Sequence, residues 1–166
     1  MYSATRPVAL VGIGNNLLTD DGAGIHVLRA LAGEERDTNL DLIDGGTIGL
    51  ALLDRLSDLD GLVALDAMML GKPPGSVTVM VGEAMDAHLR KQHSSVHELG
   101  LADLLDALRL RGDLPANRAL IGIEPADMGW GTTPTVPVAA AIPQAAERAR
   151  ELVRSWRDEA QAGAAP

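Results

Sequence analysis

Two neighbouring acids, Asp20 and Asp21, follow a glycine-rich strand exit in "VGIGNNLLTDDGAGIHVL", Val11 to Leu28. A third acid, Asp66, closes the apolar run "VALDAM", and His97 opens the helical pattern "HELGLADLL". A carboxylate that ends an apolar strand must be solvated in a cleft, paired or metal-bound, because an isolated buried charge is costly. A helix N-terminus disfavours imidazolium and so favours the neutral His97 that a metal ligand needs. Together Asp21, Asp66 and His97 offer two carboxylate oxygens and one imidazole nitrogen, which suits zinc or nickel and leaves positions for solvent or a substrate group. Each residue also has a plainer role open to it. Asp20 or Asp21 could be the N-cap of the helix in "GAGIHVLRAL", Asp66 could cap a turn, and His97 could merely complement its helix.

The same opening stretch imitates a nucleotide-binding loop. Gly12 and Gly14 supply two glycines of a dinucleotide fingerprint and an acid, Asp44, ends the second apolar run, but Leu17 stands where the third glycine should be. Asp20 and Asp21 would also place two negative charges where a helix N-terminus should receive a pyrophosphate, which opposes anion binding. The remaining histidines, His26, His88 and His93, read as surface residues. No Ser-His-Asp arrangement is evident, and a chain without Cys has no thiol nucleophile, disulfide or Cys-ligated zinc.

The elements that must position these groups are legible as apolar periodicity. "PVALVGIG" from Pro7, "LDLIDGG" from Leu40, "GLVALDA" from Gly61 and "NRALIGIEP" from Asn117 read as buried strands, and "SVTVMVG" from Ser76 as a fifth. Ile25, Leu28 and Leu31 share one helical face, as do Leu50, Leu53 and Leu56. Ser95 with Glu98 fits a capping box ahead of the stripe Leu101, Leu104, Leu105 and Leu108, with "MDAHLRKQHSS" as the connection before it. A last helix covers roughly Pro137 to Glu159, with Glu151 and Arg154 paired on its outer face. Strands alternating with helices imply a single three-layer α/β domain over residues 1–160, a twisted, mostly parallel five-stranded sheet with helices on both faces. Residues 161–166 read as a frayed tail. In such a sheet, functional groups gather in the crevice at the carboxyl ends of the strands, where Asp21, Asp66 and His97 all fall. Two segments read as loops, Met68 to Ser76 and Pro125 to Thr135. Met128 and Trp130 in the second are expected to fold back onto the core, with docking of a protein partner as the alternative.

A formal net charge of −9 would repel a nucleic-acid backbone or an anionic membrane surface. Neither is an expected partner. The first residues hold too short an apolar run for a signal peptide, and nowhere do 18 apolar residues follow one another, so a soluble cytoplasmic protein is expected.

These motifs, in this order, resemble the nickel-iron hydrogenase maturation endopeptidases. The likeness runs nearly end to end: "GIGNNLLTDDGAG", "DGGTIG" at Asp44 to Gly49, "LDAM" at Leu65 to Met68, "HELGLADLL", "IGIEP" at Ile121 to Pro125 and "GTTPTV" at Gly131 to Val136. The resemblance implies an enzyme that removes a C-terminal extension from the precursor of the hydrogenase large subunit after nickel has been inserted. It implies that Asp21, Asp66 and His97 bind nickel carried by that precursor and form the catalytic site, with no permanently bound cofactor. The chain departs from the family pattern at Asp21, where relatives often carry the longer Glu, and at Thr132, where they often carry an apolar residue. Two other classes share the residues: a metallohydrolase with its own zinc, and a non-catalytic nickel- or dinucleotide-binding module.

Overall fold

The computed structural model describes residues 6–33, 40–47, 49–91 and 96–163. Strands β1 (Val8–Ile13), β2 (Leu40–Gly46), β3 (Gly61–Ala67), β4 (Val77–Val81) and β5 (Asn117–Ile123) form one sheet in the order β2-β1-β3-β5-β4. β1, β2, β3 and β5 run parallel, and β4 pairs antiparallel with β5 at the edge. β1 and β3 are buried along their whole length. Continuous apolar runs covered on both faces are what central parallel strands require.

Strand alternation divides the core into two layers. On one face Val8, Leu10, Val63, Leu65 and Ile121 pack against helices α1 (Ala23–Ala32) and α4 (Val136–Gly163). On the other, Ala9, Val11, Leu62, Ala64 and Leu120 pack against α2 (Glu83–Lys91) and α3 (Val96–Arg111). The expected α/β fold with a mostly parallel five-stranded sheet and helices on both faces is therefore present. Among the described residues no helix is long and apolar enough to cross a membrane.

Three local expectations change. The Leu50, Leu53, Leu56 pattern forms only a short 3-10 turn, Leu50–Leu52, followed by turns. The Ser57 hydroxyl donates back to Leu53 O at 3.0 Å, competing with helical bonding, and Asp58 then takes φ 60°. Conversely, part of the expected connection after β4 is helix α2, in which Met85 and Leu89 lie one turn apart and are both buried. α4 runs four residues beyond Glu159 to Gly163, and its charges pair as Arg148 with Glu151 and Arg154 with Glu147 rather than Glu151 with Arg154. Ser95 of the expected capping box and His93 lie outside the described residues.

Candidate active site

The chain reverses its sheet direction around β1, which lies between β2 and β3. The carboxyl ends of β1 and β3 thus flank a topological switch point, where open α/β sheets place their sites. Gly14, at φ 135°, ends β1 with a turn so tight that a Cβ there would lie 2.0 Å from Asp21 O. Gly14 of "GIGNN" serves this return of the chain onto itself, whereas Gly12 makes room for α1, since a Cβ there would lie 2.9 Å from Gly24 O and from Leu28 Cβ. It brings Asp21 over the end of β1, where Asp21 Oδ2 accepts the Asn15 N–H at 3.0 Å.

Asp66 is next to last in β3 and alternates onto the face of Leu62 and Ala64, the face that α3 covers. His97 lies in the first turn of α3 on the same buried stripe as Leu101, Leu104 and Leu108. The imidazole stands between the two acids: Nε2 is 3.6 Å from Asp21 Oδ2, and Nδ1 is 3.6 Å from Asp66 Oδ1. All three side chains are buried. Asp66 Oδ1 accepts the Ala67 N–H at 2.8 Å, whereas Asp66 Oδ2 is buried without a hydrogen-bond partner.

Burial pushes the Asp66 carboxyl up to about 6; the His97 imidazole and the Ala67 N–H oppose the rise and the Asp21 charge adds to it. Asp66 in turn pushes His97 above 6.5 against the effect of burial, with help from Asp21 and Glu98. The donor types fit nickel, and Asp66 Oδ2 is an unused acceptor aimed at no protein group. As placed, however, the two imidazole nitrogens face different acids, and among the described residues no three His, Asp or Glu side chains converge so as to hold an ion. Engaging one therefore requires His97 to give up one carboxylate neighbour, together with any proton between them.

Asp20, one residue earlier, does something else. It is fully buried, and its carboxylate accepts the N–H groups of Ala126, Asp127 and Thr135 and the Thr135 hydroxyl at 2.7–2.9 Å. Burial raises its pKa, but these donors outweigh that and hold it below 3.8. Neither acid caps α1, since Gly22 stands at its N-cap with no side-chain bond there.

A family model described as hydrogenase maturation protease matches residues 25–152, which include Asp66 and His97 and begin just after Asp21. The Hydrogenase 2 maturation protease of Escherichia coli is 37% identical over 78% of this chain and 80% of its own length. The chain belongs to the hydrogenase maturation protease family. The hydrogenase expression/formation protein HupD of Rhizobium leguminosarum is 34% identical over 90% of this chain and 75% of its own. The hydrogenase maturating endopeptidase HybD of E. coli superposes with a TM-score of 0.84 at 32% identity, covering 90% of this chain and 93% of that structure. A maturation protease HybD from Thermococcus kodakarensis follows at a TM-score of 0.77 and 28% identity, covering 88% and 98%. The chain is accordingly a peptidase acting in hydrogenase maturation.

Around the site of this maturation protease, sequence reasoning missed several groups. His88 is no surface residue: its Nε2 lies 3.2 Å from Glu98 Oε1, with both side chains largely buried, which ties α2 to α3 beside His97. His26 is half-buried, and its Nε2 is buried without a partner. Glu124, also buried, accepts Leu70 N–H at 2.8 Å and Gly71 N–H at 3.1 Å and so clamps the loop after β3. It was findable, because it ends the apolar run of β5 just as Asp66 ends that of β3. Nothing in "HLRKQH" signalled His88. Asp44 is exposed at the end of β2, with Oδ1 bonded to the Gly46 N–H at 3.0 Å.

Proposed function

We propose that this peptidase removes the C-terminal extension of the nickel-iron hydrogenase large-subunit precursor after nickel insertion. The precursor's nickel is the recognition handle, engaged by Asp21, Asp66 and His97, which also form the catalytic site. The observation that carries this reading is His97 held 3.6 Å from each of two buried acids, one of which keeps an oxygen with no protein partner. Such a site is built to exchange a proton for a cation, because a nitrogen that binds a metal cannot also hold a proton. The nickel arrives with the substrate, so the enzyme carries no permanently bound cofactor, and processing takes place in the cytoplasm. The relatives, a maturation protease and a maturating endopeptidase, support the reaction class.

The test is to incubate the enzyme with nickel-loaded and nickel-free precursor and weigh the products by mass spectrometry. Loss of the C-terminal segment only from the nickel-loaded form is expected. His97→Ala should leave that precursor intact; normal processing by the variant would remove His97 from the site. Stoichiometric zinc in the purified protein would favour a metallohydrolase with its own ion instead.

A further inference from the structure

Trp130 is 85% exposed, so the indole does not fold back onto the core. The backbone beneath it is firmly held. Leu18 and Trp130 form an antiparallel bridge, flanked by Gly131 N–H to Leu17 O at 3.0 Å and Thr19 N–H to Gly129 O at 3.0 Å. The Thr19 hydroxyl lies 2.7 Å from Asp127 O and 2.9 Å from Gly129 O. The buried Asp20 carboxylate then fastens Ala126, Asp127 and Thr135. The segments 17–19 and 129–131 thus form a small ribbon, and its inner strand runs directly into Asp20 and Asp21. From Leu18, opposite Trp130, to Asp21 the chain spans at most about 10 Å.

We propose that Trp130 is a docking anchor for the folded body of the protein substrate whose C-terminal segment occupies the Asp21, Asp66 and His97 site. The inference rests on the proposed function. A rigidly mounted, exposed indole offers large contact area at low entropy cost, which is why Trp is enriched among binding hot spots. One such side chain contributes about 150–250 Å², and even with Leu17, also exposed on the ribbon, the apolar area stays far below the roughly 800 Å² per partner of a stable interface. It therefore suits a partner already held at the neighbouring site rather than a free-standing dimer. A second copy of the chain would also bring another formal charge of −9 to the contact, which is repulsive.

The experiment measures KM and kcat on nickel-loaded precursor for the wild type, Trp130→Ala and Trp130→Phe, with melting temperatures alongside. Trp130→Ala should raise KM about tenfold or more, a hot-spot effect, with kcat and melting temperature unchanged. Trp130→Phe should recover most of the loss. An unchanged KM overturns the docking role, and so does a fall in kcat alone. Sedimentation of both proteins is the second readout: a wild-type dimer that Trp130→Ala converts to monomer would assign the indole to contact between copies and overturn the proposal. If the wild type leaves the precursor uncut, the proposed function fails first, and docking is then read from direct binding of precursor to wild type and Trp130→Ala.

Discussion

Asp20 and Asp21 are the same residue type at adjacent positions, yet they face different partners. Asp20 has both carboxylate oxygens engaged by the 126–135 loop, while Asp21 meets the Asn15 N–H and His97. Asn substitution should therefore separate them. Asp20→Asn puts an amide donor against other donors and should cost about 2–4 kcal/mol of stability, read as a lower denaturation midpoint. Asp21→Asn should leave the midpoint within about 1 kcal/mol and abolish processing. Asp66 and His97 make the site pH-dependent. Both bind protons more tightly folded than unfolded, so the stability they contribute is complete below their unfolded values of 3.8 and 6.5. It is lost as pH rises through about 6 for Asp66 and through the raised value of His97. The rise at Asp66 corresponds to roughly 3 kcal/mol held against its ionised form. Asp66→Asn should therefore unfold at no lower denaturant than the parent at pH 8, while losing activity. On the proposed function ligation needs the same protons removed, so processing by the parent should decline first as pH falls through the raised value of His97, above 6.5, and further as Asp66 protonates near 6, and nickel-loaded precursor should release protons on binding.

At the scale of elements, the site depends on α1 lying unusually close to the sheet. A Cβ on Gly24 would meet Leu65 O at 2.0 Å and Ile13 O at 2.5 Å. The helix that follows Asp21 thus touches the strand that carries Asp66, one residue from it. Gly24→Ala has no flexible side chain to push aside, only backbone, and should shift α1 away from β3. We expect a loss of several kcal/mol, in the range of severe core overpacking, together with weakened processing even where the variant remains folded. Thermal unfolding and product mass measure the two effects. Four of the strands were legible from apolar runs, because a strand covered on both faces leaves little room for polar residues, and edge strand β4 from the β-branched alternation of "SVTVMVG". The 3-10 turn after β2 and helix α2 were not legible. Leu50, Leu53 and Leu56 carry a helical spacing that Ser57 and Asp58 cut short, and α2 shows only Met85 and Leu89 as apolar anchors in a polar stretch.

For the whole molecule, the sheet holds the proposed site and a large core contact at opposite ends of β3. Trp156 of α4 is buried against the start of β3, where a Cβ on Gly61 would lie 2.9 Å from its ring. Asp66 lies at the opposite end of the same strand. Trp156→Ala should therefore cost about 3–5 kcal/mol and lower the melting temperature by roughly 10 °C, with kcat on nickel-loaded precursor unchanged well below the transition. A large loss of kcat at low temperature would show the two ends to be coupled.

The sequence by itself determined the layered architecture and singled out Asp21, Asp66 and His97. The architecture follows from local rules, since apolar period and length specify buried parallel strands; Asp66 stood out as an acid at the end of such a strand, while the choice of Asp21 over Asp20 and its grouping with His97 leaned on the family resemblance. What only the tertiary structure decided was the division of labour between neighbours. Asp20 reaches partners more than a hundred residues away in sequence, His88 is drawn inward by Glu98 from another helix, and Trp130 stays outside because its ribbon is fastened from below. Each of these turns on which side chains meet across the fold, and that is a property of packing in three dimensions rather than of spacing along the chain.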